Sequence, residues 1–282
     1  MINKDFLKKI KLVVFDLDGT LVDDNDKIGE ETVLLIKELS KLGVIFSIAT
    51  GRVLTAVTDH ADSIGITAPL ITLDGSLIQR YPGQQSIYQS YVSPRYVARA
   101  LKLADQFLLN AALCHDTAVY YTEENSIIPT IADKFGAKFQ KINSYKNYLD
   151  ETLEIIIVGD YQKNIRHVAS KMSFPYTFGI RSSFYKSESK GGTYFLEIRK
   201  FGANKGEGLK ILTRHLKIKI KETAVFGDWY NDKPLFENDA LKIAIANAVP
   251  ELKKMADIIT KRTNNEEGVA EFLKILLQAK KS

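Results

Sequence analysis

Short apolar runs alternate with amphipathic segments over the first 76 residues, and this alternation is the feature that most constrains the fold. Residues 10–15, 44–49 and 69–73 are mostly apolar and rich in β-branched side chains, and each run is followed by a polar residue. Between the runs, residues 33–42 place apolar side chains at helical spacing, and a second helix is predicted at about residues 53–63. Continuous apolar strands that alternate with helices predict a doubly wound parallel sheet, and hence an α/β fold.

The pattern changes between residues 82 and 198 and then returns. The middle segment mixes two predicted helices, 95–107 and 163–172, with several short aromatic-rich runs, which is typical of an α+β unit. The strands predicted in this segment are residues 118–122, 153–158, 176–181 and 194–198. After residue 204, helices and apolar strands alternate again. We therefore expect a core built from the two ends of the chain, with a second domain inserted into it.

Composition limits the class of protein. Hydrophobic residues make up 45% of the 282 residues and charged residues 26%, which excludes a disordered or fibrous chain. The net charge of +5 permits an anionic ligand without requiring nucleic acid. Cys114 is the single cysteine, so no intrachain disulfide can form and a reducing compartment is expected. No apolar run approaches the ~20 residues of a membrane span, and residues 1–11 lack the apolar region of a signal peptide, so we expect a cytoplasmic protein.

Two carboxylates, Asp16 and Asp18, directly follow the first apolar run, on a turn that contains Gly19. Ligands in open α/β sheets bind beyond the carboxyl ends of the strands, which is where this turn is predicted to lie. The carboxylate pair fits a Mg²⁺ site, because hard cations prefer oxygen ligands, and it also fits a carboxylate nucleophile. Taken alone, such a carboxylate pair more often belongs to a polar turn that closes a strand.

The stretch around these carboxylates resembles the first motif of the haloacid dehalogenase (HAD) superfamily. That stretch is Phe15-Asp16-Leu17-Asp18-Gly19-Thr20-Leu21. Three further motifs match in order and fall at predicted strand ends or a helix start: Thr50, Lys205, and Gly227-Asp228-Trp229-Tyr230-Asn231-Asp232. The large insertion, together with residues 194–198 and 264–271, is similar to the Cof-type subfamily with a C2B cap. The resemblance implies a Rossmann-like core at 1–81 and 199–282 and an α+β cap domain at 82–198.

The resemblance also implies a Mg²⁺-dependent phosphatase that forms an aspartyl-phosphate on Asp16. Asp18 would serve as general acid and base, and Mg²⁺ would be held by Asp16, the backbone carbonyl of Asp18, and Asp228. The residues expected to bind the phosphate are Thr50, Gly51, Lys205 and Asn231. Asp232 would hold Lys205 in place. Arg52 would either face the cleft or form a structural ion pair.

The implied substrates are small phosphorylated metabolites, such as sugar phosphates or phosphorylated cofactors. Neither nucleic acid nor a membrane is expected as a partner, and the sequence predicts no particular oligomeric state. The alternative is a phosphotransferase or phosphosugar mutase, in which the same aspartyl-phosphate passes to a sugar hydroxyl. A basic nucleic-acid-binding protein with a degenerate enzyme core is disfavoured, because the three carboxylates expected in catalysis and metal binding, Asp16, Asp18 and Asp228, are all present.

Three features keep two interpretations each. Asp74, in Asp74-Gly75-Ser76, either contributes to the site rim or closes a strand. Trp229 and Tyr230 either line the site entrance or pack against the cap. The Ser- and Gly-rich residues 181–193 predict a mobile loop suited to substrate selection, and the basic excess around them, which includes Lys190, either attracts phosphorylated substrates or forms a solvated face.

Overall fold

The computed structural model of the protein describes residues 4–83, 85–122, 138–186 and 192–282. The described residues form two compact units. The first unit comprises the described parts of Met1–Gly51, Thr58–Tyr88 and Asn204–Ser282, and the second those of Arg52–Val57 and Gln89–Ala203. The function of the second unit as a cap domain stays a prediction.

Strands and helices alternate along both ends of the chain. The described strands are β1 (Leu12–Phe15), β2 (Ile45–Ile48), β3 (Leu70–Thr72), β4 (Leu77–Gln79), β5 (Ser86–Gln89), β6 (Asn110–Cys114), β7 (Val119–Tyr121), β8 (Phe139–Lys141), β9 (Glu154–Gly159), β10 (Ile180–Lys186), β11 (Tyr194–Lys200), β12 (Thr223–Gly227), β13 (Leu241–Ala244) and β14 (Ile258–Ile259). The described α-helices are α1 (Lys4–Lys8), α2 (Glu30–Lys41), α3 (Thr58–Ser63), α4 (Pro94–Gln106), α5 (Gln162–Lys171), α6 (Lys205–Leu216), α7 (Lys233–Phe236), α8 (Pro250–Met255) and α9 (Gly268–Lys281).

A parallel sheet in the order β14-β13-β12-β1-β2 forms the centre of the first unit. A single parallel bridge between Ala49 and Ile71 places β3 beyond β2. The chain therefore runs outward from β1 on one side, through β2 and β3, and on the other side through β12, β13 and β14. The strand order reverses between β1 and β12, and in open α/β sheets ligands bind at such a switch point.

Burial of both sheet faces explains why β1 is a continuous apolar run. All four of its side chains are buried. On one face, Val14 packs in a cluster with Leu209 and Leu212 of α6. Elsewhere in the core, Phe226 of β12 packs against Phe272 of α9, with ring centroids 5.5 Å apart. Helices on both faces of a parallel sheet confirm the predicted doubly wound α/β core.

The second unit is built on a sheet in the order β10-β11-β9-β6-β7-β8. The pairs are antiparallel except for β7 with β8. Helices α4 and α5 contribute Val97, Ala100, Ile165 and Val168 to an apolar cluster that also includes strand residues such as Ile155 and Leu196. This antiparallel-rich sheet with packed helices confirms the predicted α+β character of the insertion.

Two sequence predictions in the inserted unit were wrong. Residues 176–181 were predicted as a strand, but β10 begins only at Ile180 and extends to Lys186. Consequently, the first half of the predicted mobile loop, residues 181–186, is a strand paired with β11. The strand is stabilised by cross-strand packing, because the rings of Tyr185 and Phe195 stack with their centroids 5.3 Å apart. Local Ser- and Gly-rich composition does not reveal such a contact with a distant part of the chain. Residues 187–191, including Lys190, lie outside the described residues.

The helix predicted at residues 53–63 is shorter than expected. A 3₁₀ turn spans Leu54–Ala56, and α3 begins only at Thr58. Among the described residues, no helix combines the length and apolar character needed to cross a bilayer.

Candidate active site

Asp16 and Asp228 lie at the switch point because each directly follows one of the two adjacent strands β1 and β12. The Asp16 amide donates to the Phe226 carbonyl at 3.2 Å, so the β1–β12 ladder continues into the residue that carries the carboxylate. Both carboxylate residues are buried, with 4% of Asp16 and 7% of Asp228 exposed. The fold therefore brings together two carboxylates that are far apart in the sequence.

Lys205 places a fully buried ammonium group beside these carboxylates. Its Nζ lies 2.5 Å from Asp16 Oδ1 and 2.6 Å from Asp232 Oδ1. Lys205 is the first residue of α6, and the Asn204 side chain caps this helix by accepting a hydrogen bond from the Glu207 amide at 2.9 Å. The helix start therefore determines where the ammonium lies.

Close packing explains the glycines that follow Lys205. A Cβ atom on Gly206 would lie 2.2 Å from the Pro234 carbonyl oxygen. A Cβ atom on Gly208 would lie 2.6 Å from Ile71 Cγ2. The Gly-x-Gly sequence therefore lets α6 approach α7 and β3, and it needs no dinucleotide to explain it.

Asp232 holds both Lys205 and the turn after β12. Its Oδ1 accepts from Lys205 Nζ, while its Oδ2 accepts from the amides of Asp228 at 2.9 Å and Trp229 at 3.1 Å. A Cβ atom on Gly227 would lie 2.6 Å from the Asp232 Cβ, so only glycine fits there without a shift. Both carboxylate oxygens of Asp232 are thus engaged by the protein itself.

The charges of the site shift its ionisation equilibria. Burial, followed by the negative charges of Asp232 and Asp228, raises the pKa of Asp16 well above its ordinary value, and Lys205 opposes this rise. Burial and the charge of Asp232 raise the pKa of Asp228 to about 6. Burial alone would lower the pKa of Lys205, but the carboxylates of Asp16, Asp232 and Asp74 raise it above its ordinary value. The site therefore has more negative charge than one lysine compensates.

A divalent cation fits this charge deficit. Among the described residues, Asp16, Asp228 and Asp232 each offer a carboxylate oxygen within 4.8 Å of the other two. Because Asp232 already accepts three hydrogen bonds, Asp16 and Asp228 are the better ligands. Oxygen-only donors suit Mg²⁺, and a cation there would relieve the repulsion that raises both pKa values. The donors present therefore fit the implied ion.

The turn after Asp16 packs tightly against Asp228. Gly19 has φ +73°, and a Cβ atom there would lie 2.5 Å from Asp228 Oδ2. The Thr20 hydroxyl donates to Asp228 Oδ1 at 2.8 Å. Asp18 lies on the exposed part of this turn. The backbone carbonyl of Asp18 is therefore on the same turn that is held against Asp228.

Thr50 and Gly51 lie at the next strand end, where a strained turn brings in Asp74. Thr50 is fully buried, and its carbonyl accepts from the Asp74 amide at 2.9 Å. Leu73 and Asp74 adopt φ of +48° and +46°, a region that non-glycine residues rarely occupy. Such strain is often found at functional sites.

Asp74 is part of the site and also closes a strand. Its Oδ1 accepts from Asn231 Nδ2 at 3.2 Å and lies 4.0 Å from Lys205 Nζ. Asn231 itself is exposed. The residue predicted to bind phosphate is therefore oriented by a carboxylate for which the sequence left two interpretations open.

The remaining predicted residues are Arg52, Trp229 and Tyr230. Arg52 belongs to the short segment Arg52–Val57 of the second unit. Trp229 and Tyr230 are about half exposed, and their rings meet edge to face at 5.3 Å.

Sequence reasoning missed three supporting residues, Thr20, Asn247 and Asn264. Thr20 contacts Asp228, as described above. Asn247 donates to the Gly19 carbonyl at 2.8 Å, and Asn264 donates to the Val22 carbonyl at 3.0 Å. Thr20 and Asn264 lie in stretches singled out by the resemblance but received no role of their own, and Asn247 gave no signal.

Comparison with known proteins agrees with this geometry. A sequence model of the haloacid dehalogenase-like hydrolases matches residues 13–273. An HMP-PP phosphatase from Citrobacter koseri is 26% identical, over 86% of this chain and 86% of the relative. The 5-amino-6-(5-phospho-D-ribitylamino)uracil phosphatase YitU from Bacillus subtilis is 24% identical, over 93% of this chain and 96% of the relative. A haloacid dehalogenase-like hydrolase structure from Bacteroides thetaiotaomicron superposes with a TM-score of 0.83 at 23% identity, covering 94% of this chain and 98% of the other.

Proposed function

Because this chain belongs to the haloacid dehalogenase-like hydrolases, we propose that it hydrolyses phosphomonoesters of small metabolites, such as sugar phosphates or phosphorylated cofactors. The observation that carries this proposal is the buried cluster of Asp16, Asp228 and Lys205 at the switch point. The phosphatase names of the two relatives described above support it. Those names concern two different phosphorylated compounds, so they support the substrate class without selecting one member.

In this proposal, Asp16 is the nucleophile. One of its carboxylate oxygens attacks phosphorus, the bond from phosphorus to the ester oxygen breaks, and Asp18 protonates the departing alkoxide. Asp18, now a carboxylate, takes a proton from water as that water attacks the aspartyl-phosphate. Phosphate leaves and Asp16 is restored. Lys205 supports the first step because its ammonium, 2.5 Å from Asp16, favours the ionised nucleophile.

Other residues would bind the transferred phosphoryl group. Thr50 is proposed to donate its hydroxyl to a phosphate oxygen, with Gly51 and Asn231 beside it. The Asp74 side chain orients Asn231 and stays close to Lys205. Gly51 lets the Asp74 carboxylate lie close to the backbone, because a Cβ atom at position 51 would be only 3.3 Å from Asp74 Oδ1, a tight contact.

Magnesium would be held by Asp16 and Asp228, with the backbone carbonyl of Asp18 on the adjoining turn. When bound, Mg²⁺ supplies positive charge that offsets the repulsion between carboxylates and phosphate. Asp232 is proposed to remain a protein-internal acceptor that holds Lys205. Within the same proposal, residues 82–198 form the cap domain that selects the substrate.

The proposal is tested with Asp16→Asn and a generic aryl phosphate in the presence of Mg²⁺. The amide lacks the anionic oxygen that attacks phosphorus, so kcat should fall to background while the fold is kept. Asp24→Asn is the matched control, because Asp24 is an exposed aspartate whose side chain accepts hydrogen bonds from Asn264 and Asn265. Near-wild-type activity in the Asp16 variant would refute the mechanism.

The same preparation separates hydrolysis from phosphoryl transfer. Hydrolysis of a sugar phosphate releases one phosphate for each ester consumed. A phosphotransferase or mutase would instead convert the sugar phosphate with less free phosphate than ester lost. Measuring free phosphate by phosphate assay and the sugar phosphates by mass spectrometry therefore decides between the two reactions.

A further inference from the structure

Two loops near the end of the chain hold the turn that carries Asp18. The side-chain amide of Asn247, which follows β13, donates from Nδ2 to the Gly19 carbonyl at 2.8 Å. Its Oδ1 accepts from the backbone amide of Asn264, after β14, at 3.0 Å. Asn264 Nδ2 in turn donates to the Val22 carbonyl at 3.0 Å. Both ends of the Asn247 carboxamide are therefore engaged, one by the turn and one by the loop behind it.

The turn needs such support because its backbone is irregular. Asp18 is extended, with φ −73° and ψ 124°, and Gly19 follows at φ +73° and ψ 0°. Thr20 is held on one side by its hydrogen bond to Asp228. Asn247 holds the peptide between Gly19 and Thr20 by its carbonyl oxygen. Together the two contacts fix the residues that directly follow Asp18.

We propose that Asn247 is a positioning residue for the general acid: it fixes the Gly19 peptide and thereby keeps Asp18 within reach of the leaving-group oxygen. Asn264 orients Asn247 through its backbone amide. The inference rests on the proposed phosphatase function, and Asn247 acts through Gly19 without touching the substrate.

A leaving-group comparison tests this role. A p-nitrophenolate leaving group needs little protonation, whereas an alkoxide from a sugar phosphate needs the proton that Asp18 supplies. Misplacing the acid should therefore lower kcat for the sugar phosphate by roughly 10- to 100-fold, and for p-nitrophenyl phosphate by less than about threefold. KM should stay within about twofold for both substrates, because the phosphate contacts are untouched.

Two substitutions separate the contacts of Asn247. Asn247→Ala removes both hydrogen bonds. Asn247→Asp keeps an oxygen that accepts from the Asn264 amide but cannot donate to the Gly19 carbonyl. Both variants should show the same leaving-group effect. Because Asn247 is exposed, either variant should fold, and thermal unfolding confirms this before kinetics are measured.

Asn265→Ala is the matched control. Asn265 directly follows Asn264, and its side chain forms two hydrogen bonds with Asp24, one to the backbone amide and one to the carboxylate. Its ratio of sugar-phosphate to aryl-phosphate kcat should equal that of the wild type. The positioning role would be overturned if the Asn247 variants lost kcat equally on both substrates. It would also be overturned if Asn247→Asp had the kcat values of the wild type.

Hydrogen exchange gives a readout that does not depend on activity. In metal-free protein, amides in the peptide that covers residues 16–22 should exchange faster in both Asn247 variants than in wild type or Asn265→Ala. If wild-type protein hydrolyses neither substrate, the proposed function fails, yet this comparison still tests whether Asn247 holds the turn. Unchanged exchange in the Asn247 variants would show that Asn247 does not hold the turn.

Discussion

Replacing Asp228 with asparagine should stabilise the metal-free protein while abolishing its activity. Asp228 is 7% exposed and lies close to two other carboxylates, Asp16 and Asp232. Asparagine has nearly the same shape, and its Oδ1 can still accept from the Thr20 hydroxyl. The substitution therefore removes a buried like charge without opening a cavity.

The size of the stabilisation expected from Asp228→Asn follows from the pKa of Asp228. Burial and the charge of Asp232 raise this pKa from 3.8 to about 6, so ionising Asp228 costs the folded protein about 3 kcal/mol as an upper limit. Below pH 3.8 the carboxyl is protonated in both folded and unfolded chains, and the cost is absent. Above pH 6 it is ionised in both, and the full cost applies. The difference in unfolding free energy between Asp228→Asn and wild type should therefore grow as pH rises from about 4 to about 6 and then level off.

Urea unfolding in EDTA measures this directly. Wild type and Asp228→Asn are compared at pH 4, 5, 6 and 7.5, with phosphatase activity assayed in parallel. At pH 7.5, adding Mg²⁺ should raise the unfolding free energy of the wild type and have a smaller effect on the variant, which lacks a proposed ligand. Thr223→Ser serves as a control elsewhere in β12, because it keeps a buried hydroxyl and changes no charge.

Two results would contradict this reasoning. One is a variant less stable than wild type at pH 7.5, which would mean that Asp228 contributes net favourable interactions as an anion. The other is a stability difference that does not change between pH 4 and 7.5, which would mean that the Asp228 pKa is not raised by its surroundings.

Three further predictions concern packing and charge around the site. Gly19→Ala should destabilise the fold more than Gly43→Ala, since both have positive φ but only Gly19 would place a Cβ against Asp228, and the two are compared by thermal unfolding. Lys205→Met should cost roughly 3–5 kcal/mol at neutral pH, because buried carboxylates lose their counter-charge, and much of this loss should be recovered at low pH in denaturant titrations. Asn204→Ala should cost about 1 kcal/mol through loss of the helix cap, with Asn204→Asp near wild type by the same measurement.

Much of the core was predictable because it depends on local patterns. Buried strands of a parallel sheet are continuous apolar runs, and the run predicted at residues 10–15 contains β1, Leu12–Phe15, for that reason. The helix predicted at residues 33–42 is α2, Glu30–Lys41, and Gly43 just beyond it has a φ of +84°, which suits a helix C-terminus. Short strands such as β4 and β8 were missed, because three-residue strands carry too little periodicity to recognise.

The site was predictable only where residue type and position coincide. Asp16 directly follows a strand and Lys205 begins a helix, and local sequence patterns predict both of these positions. Asp74 could not be assigned, because its role depends on a left-handed backbone and a hydrogen bond from Asn231. Asn247 gave no signal, since a single exposed asparagine reveals nothing about the carbonyl group that it contacts.

The central position of β1 has a consequence for synthesis of the chain. One edge of β1 pairs with β2, but the other pairs with β12, whose first residue is Thr223. At about 5–20 residues per second, a ribosome needs on the order of 10–40 s to make the roughly 200 residues between them. During that interval the nascent β1 has an apolar face and an open backbone edge, which are prone to pairing with other chains. Synthesis and release of β12 is thus the step that ends the exposure of β1 to aggregation.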